Sequence, residues 1–120
     1  MHPAVMPNGD PDRLRCEVRP ERRIVIVAPI GELDLGGVPT VDSQLRELRD
    51  AGFEHLAVDL RRLRFIDSTG LHLLLRWSRA AASDGFRFSV IPGPERVQRV
   101  FEIAGVAAAL ELVSEADLVD

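Results

Sequence analysis

From Leu14 onward, apolar and polar positions follow one another in regular patterns that change period along the chain. Leu14 to Val18 reads L-R-C-E-V, the alternation of a half-buried strand. Pro20 and Glu21 supply a turn, and Arg22 to Ile30 then reads R-R-I-V-I-V-A-P-I. Its four consecutive β-branched residues, Ile24 to Val27, predict a strand buried on both faces, joined to the first as a hairpin. Pro29 lacks a ladder donor, so it is expected to mark where that strand ends or bends. Val38, Val41, Leu45 and Leu48 then recur at helical spacing from about Pro39, and Gly52 closes that helix. The next strand is His55 to Leu60, followed by an R-R-L-R turn.

A second helix is predicted from Ser68 to about Ser83, with Leu71, Leu74, Leu75, Ser78, Ala81 and Ala82 facing inward. His72, Arg76 and Arg79 flank that stripe on one side, and Leu73, Trp77 and Ala80 on the other. Phe86 to Ile91 alternates as a strand, and Pro94 opens a third helix that stops at Gly105. Ala109 to Val113 reads as a short last strand, with Ser114 placed to cap a final acidic turn. The order is β-β-α-β-α-β-α-β-α. Helices between successive strands require crossovers, so an α/β fold is expected: a mixed, mainly parallel β-sheet of four to five strands with helices packed against it.

Composition narrows what such a domain does. The chain has 120 residues, enough for one hydrophobic core, and no linker divides the patterned part. Residues 1–12 hold three Pro and no periodicity, so a flexible N-terminal tail is expected before a domain at 13–120. That tail has no basic region followed by an apolar block and does not read as a signal peptide. The longest uncharged apolar stretch, Ile103 to Leu110, is far short of the about 20 residues of a membrane span. One cysteine, Cys16, forbids an internal disulfide, and a reducing, cytoplasmic setting is expected. A net charge of −4 disfavours nucleic acid as a partner, and the absence of Lys removes any lysine nucleophile.

Few arrangements of chemistry-bearing residues remain. His2, Cys16, His55 and His72 have no metal-ligand spacing, so no metal is expected, and neither phosphate-loop motif is present. Ser68 stands at a strand-to-helix junction with His72 four residues on, yet the G-x-S-x-G elbow of a serine hydrolase is missing; that activity is the remote reading. The segment Arg64 to Leu71 is the most unusual. Asp67 or Ser68 is placed to cap the following helix, and the same segment offers two adjacent hydroxyls, Ser68 and Thr69, at the positive end of a helix. A phosphate on Ser68 would face Asp67 and change the local field sharply. Gly31 to Leu35, with Glu32 and Asp34, follows the buried strand; if the strands run parallel, both loops gather on one edge as an acidic, hydroxyl-bearing patch. Trp77, the only Trp, either packs at the core margin or, if exposed, anchors a partner.

G-E-L-D at residues 31–34 and V-D-L-x-x-L-x-F-I-D-S-T-G-L at residues 58–71 resemble the STAS domain of anti-sigma factor antagonists, a likeness that spans about residues 13 to 118. The resemblance implies a binder, not an enzyme, with no cofactor of its own. Its partner would be an anti-sigma factor that is a serine kinase of the histidine-kinase-like ATPase type. That kinase would phosphorylate Ser68 and release the antagonist, and a phosphatase would restore binding. Glu32, Asp34, Asp67, Ser68, Thr69, Gly70 and Leu71 would form the recognition surface, with Gly70 letting the partner approach the backbone. Isolated domains of this kind also serve as accessory subunits of transporter ATPases or stress-signalling complexes, where the serine need not be modified.

Overall fold

A computed structural model describes residues 13–119; the expected tail at residues 1–12 lies outside the described residues. The elements are β1 (Arg15–Glu21), β2 (Ile24–Leu33), α1 (Val38–Asp50), β3 (His55–Asp59), β4 (Leu63–Ile66), α2 (Ser68–Asp84), β5 (Arg87–Ile91), α3 (Glu95–Ala104), a 3-10 turn (Ala107–Ala109) and α4 (Glu115–Val119). The sheet runs β1-β2-β3-β5, with β4 paired to β2. The first pair is the expected antiparallel hairpin, and every other pairing is parallel.

Four local expectations are corrected. The hairpin turn falls at Arg22 and Arg23, not at Pro20 and Glu21, which pair with Val25 and Ile24 as the end of β1. The R-R-L-R segment does not stay a turn: Leu63 to Ile66 becomes a strand that pairs with the end of β2, Leu33 opposite Ile66. Pro29 does not end β2, which runs on to Leu33. The proline falls between the stretch paired to β3, Ile24 to Val27, and the stretch paired to β4, Gly31 to Leu33, where no parallel ladder needs its donor. The predicted strand over Ala109–Val113 shrinks to a single bridge between Leu112 and Val90, because Ala107–Ala109 tighten into the 3-10 turn. Ser114 does cap the final turn, its hydroxyl accepting from the Asp117 amide.

Alternation along the strands separates two faces. Val25, Val27, Leu56, Val58 and Val90 point into the main core beneath the helices, all fully buried. Ile26, Ala57 and Ile91 point the other way and are covered by Leu118 of α4 and by Val113. That second layer is why Ile24 to Val27 reads as a buried run and not as alternation. In α2 the inward stripe is wider than predicted: Leu73, assigned to a flank, is fully buried, whereas Ala82 is exposed.

The second face also holds a buried charge. Asp59, only 3% exposed, accepts from the Arg61 backbone amide and from both ends of the Arg61 guanidinium, at 2.8–3.0 Å. Arg19 lies 3.6 Å away, and Glu115 joins both arginines from α4. Burial works against ionisation of Asp59, but the Arg61 hydrogen bonds and the two positive charges outweigh it and hold the carboxyl below its ordinary value. A depressed folded pKa stabilises the protein above the unfolded value of about 4, and that contribution disappears as pH falls through the folded value. Asp59→Asn is therefore expected to lower stability at neutral pH by about 1.5–3 kcal/mol. It should also flatten the loss of stability below about pH 4, as read from urea midpoints across pH.

Candidate functional site

The site forms where β2 and β4 end side by side. Asp67, immediately after β4, is the N-cap of α2 in extended conformation. Its Oδ1 accepts from the Thr69 amide at 2.9 Å, the Gly70 amide at 3.1 Å and the Thr69 hydroxyl at 2.6 Å. The Leu35 amide, on the loop after β2, acts on the same carboxylate and favours its charged form. Burial works to raise the Asp67 pKa, and these donors together outweigh it, so the group is held ionised below the usual aspartate value. The Asp67 amide in turn donates to the Leu33 carbonyl at 3.3 Å. One residue thus caps the helix and ties both loops together. The capping role falls to Asp67 alone.

Ser68 is the first residue of α2, and its side chain is exposed. Among the described residues none bonds to its hydroxyl. The neighbouring Thr69 hydroxyl is half-buried and committed to Asp67, so two hydroxyls that look equivalent in sequence are chemically distinct in the fold. His72 is exposed one turn on and makes no hydrogen bond to Ser68, so the pair lacks the nucleophile–base contact a hydrolase needs.

Gly70 and Leu71 lie beneath this surface. Gly70 is buried, and a Cβ there would sit 2.5 Å from the Leu33 carbonyl oxygen and 2.9 Å from Leu33 Cγ and Ile66 Cγ1. Its missing side chain admits the end of β2, not an incoming molecule. Leu71 is 4% exposed and belongs to the core.

Glu32 and Asp34 are half-buried on the adjoining loop. Asp34 Oδ1 accepts from the Gly36 and Gly37 amides at 3.1 and 3.2 Å and so shapes the approach to α1. Glu32, Asp34 and Arg13 line an open polar cavity of about 310 Å³ beside them. The two loops do meet, as parallel pairing predicts; what joins them is β4, which the sequence reading took for a turn.

Two residues escaped the sequence reading. Leu35 is 73% exposed and Phe65 47% exposed, large apolar side chains on the two segments that Asp67 joins. Leu35 directly follows G-E-L-D, and an apolar residue in an otherwise polar loop was a signal available in the sequence. Phe65 was harder to find, because an irregularity in the β2–β4 register turns both Arg64 and Phe65 outward and breaks the alternation. Gly31, at φ 115°, sits at that irregularity, in a region of backbone space that favours glycine.

Trp77 is half-buried. Its ring packs on Phe86 and Phe88 with centroids 6.2 and 6.4 Å away, and its Nε1 donates to Asp42 at 2.8 Å. It is a core-margin residue. Among the described residues no group of three His, Cys, Asp or Glu could hold a metal ion, and no helix is long and apolar enough to cross a membrane.

A family model described as "Mlab, STAS domain" matches residues 18–114. An anti-sigma-B factor antagonist of Staphylococcus aureus is 29% identical over 93 residues, covering 78% of this chain and 86% of that protein. The corresponding protein of Staphylococcus epidermidis is 32% identical over 76 residues, covering 63% of this chain and 70% of its own. Among solved structures, the anti-sigma factor antagonist SpoIIAA in its unphosphorylated form aligns with a TM-score of 0.73 at 22% identity, over 88% of this chain and 94% of that one. An anti-sigma factor antagonist from Mycobacterium paratuberculosis aligns with a TM-score of 0.70 at 21% identity, over 86% and 87%. At those identities the structural likenesses speak to the fold.

Proposed function

The chain belongs to the STAS domain family as one of its anti-sigma factor antagonists, and from this premise we propose that phosphorylation of Ser68 ends its hold on the anti-sigma factor. The observation that carries the proposal is the contrast between the free, exposed Ser68 hydroxyl and the Thr69 hydroxyl bound to Asp67. The partner is a serine kinase that brings its own nucleotide: the Ser68 oxygen bonds to the terminal phosphorus of ATP, the bond to ADP breaks, and a base of the kinase takes the hydroxyl proton. A phosphatase reverses the modification. This chain supplies the acceptor and the docking surface, works in the cytoplasm beside its partner, and catalyses nothing itself.

The electrostatics favour release. Asp67 already occupies the Thr69 and Gly70 amides at the start of α2, so a phosphate on Ser68 would not gain those donors. It would add about −1.5 to −2 charges next to Asp67, on the edge that also carries Glu32 and Asp34. A partner surface fitted to the unmodified patch then meets uncompensated charge. Leu35 and Phe65 supply the apolar contacts, with the acidic residues around them.

Incubation with the cognate anti-sigma kinase and ATP, followed by peptide mass spectrometry, is expected to place one phosphate on Ser68 and none on Thr69. Ser68→Ala should accept none and keep binding, and Ser68→Asp should lose binding. Phosphate on Thr69, or a Ser68→Asp variant that binds like the wild type, would overturn the switch. Equal retention of one transporter ATPase by all three forms would assign the chain to an accessory role instead.

A further inference from the structure

The two edges of the sheet are finished differently. At β5 the chain end takes the outer side: the Val90 amide donates to the Glu111 carbonyl at 2.9 Å, and the Val113 amide to the Val90 carbonyl at 3.0 Å. At β1, among the described residues, only β2 is paired. Glu21 and Ile24 flank the two-residue turn, so they close the hairpin as a hydrogen-bonded pair. Alternation along the ladder then turns the amides and carbonyls of Arg15, Glu17, Arg19 and Glu21 towards β2, and those of Cys16, Val18 and Pro20 outward. Pro20, with no amide proton to offer, falls in the outward set.

Side chains along β1 alternate as well. Cys16 and Val18 are half-buried against the main core, so Arg15, Glu17, Arg19 and Glu21 share the second face of the sheet. Arg19 lies by Asp59 and Glu115 there, and Arg62 donates to Glu17 at 2.6 Å. Arg15 and Glu21 are exposed and have no ion-pair partner among the described residues. The four charges run positive, negative, positive, negative. Read in the opposite direction, the same strand shows every sign inverted.

We infer that β1 is the pairing edge of a dimer: two copies of this chain join their β1 strands antiparallel about a two-fold axis at Val18, making one continuous sheet. In that register Val18 meets Val18 as a hydrogen-bonded pair, and each Cys16 amide faces the Pro20 carbonyl of the second copy. Arg15 lies opposite Glu21 of the second copy, and Glu17 opposite its Arg19, twice each by symmetry. Charges and a proline on an edge strand ordinarily keep other strands away. Here they select the register. A slip by two residues one way sets Glu17 against Glu17 and Arg15 against Arg19; the other way, Arg19 meets Arg19 and Glu17 meets Glu21. Opposite charges across a strand pair attract and like charges repel, so only the register centred on Val18 satisfies the whole strand. The two-fold axis closes the assembly at two copies. The pairing uses no residue of the Ser68 surface, so the dimer carries two such surfaces.

Sedimentation equilibrium of the full chain over a range of concentrations tests the pairing. The wild type is expected to sediment as a monomer–dimer equilibrium. Arg15→Glu and Glu21→Arg each place like charges opposite one another at both ends of the strand pair, so each variant alone should dimerise roughly tenfold more weakly or worse. Mixed together, the two variants restore opposite charges at both positions and should form a heterodimer of about wild-type affinity. Both positions are exposed, so melting curves should match the wild type. A wild type still monomeric at about 1 mM, single variants that dimerise like the wild type, or a mixture no tighter than its components would overturn the inference.

Discussion

Gly70→Ala is expected to destabilise the protein by about 3 kcal/mol or more, a fall in Tm of roughly 10–15 °C for a domain of this size. The added Cβ would meet the Leu33 carbonyl oxygen at 2.5 Å, together with Leu33 Cγ and Ile66 Cγ1. The tightest of these contacts is with backbone, so no rotamer change relieves it. Relief requires the start of α2 to move away from the end of β2. That movement strains the hydrogen bond from the Asp67 amide to the Leu33 carbonyl. Thermal unfolding followed by circular dichroism reads the effect directly. A Tm within about 3 °C of the wild type would show that this junction adapts, and would return Gly70 to the partner-facing role its place in the motif implies.

The second large effect concerns binding. Leu35→Ala combined with Phe65→Ala is expected to weaken the complex with the cognate anti-sigma factor by roughly 30-fold or more, the loss typical of removing apolar anchors from an interface centre. Because Leu35 is 73% exposed and Phe65 47% exposed in the free protein, the same pair of changes should leave Tm nearly unaltered. Calorimetric titration together with a melting curve separates the two outcomes. Wild-type affinity in the double variant would leave the acidic and hydroxyl groups to carry recognition alone.

The two expectations divide the D-S-T-G motif by physical role. Asp67 and Gly70 make the junction: one gathers three hydrogen bonds onto its carboxylate, and the other lets two backbones touch. Ser68 is left outside that network, which leaves its hydroxyl free for the proposed phosphorylation. Thr69, beside it, is drawn in. A run of short polar residues therefore contains two structural members, one locked hydroxyl and one free one.

The linear chain was enough to derive the hairpin, the three longer helices, the parallel crossovers and the gathering of both loops on one edge, because each rests on local periodicity or on the handedness of βαβ connections. It also carried the D-S-T-G motif and the resemblance built on it. What it could not decide depended on partners distant in sequence. Four residues after a turn become β4 only because the end of β2 is there to pair with them, and Pro29 is tolerated within a strand only because the two parallel partners leave a gap at that point. Capping falls to Asp67, whose carboxylate takes the Thr69 and Gly70 amides and the Thr69 hydroxyl, and that separates Ser68 from Thr69. Local pattern sets which elements form. The close contacts between segments about thirty residues apart, at Leu33, Asp67 and Gly70, decide which side chains are spent on the fold and which are left for a partner.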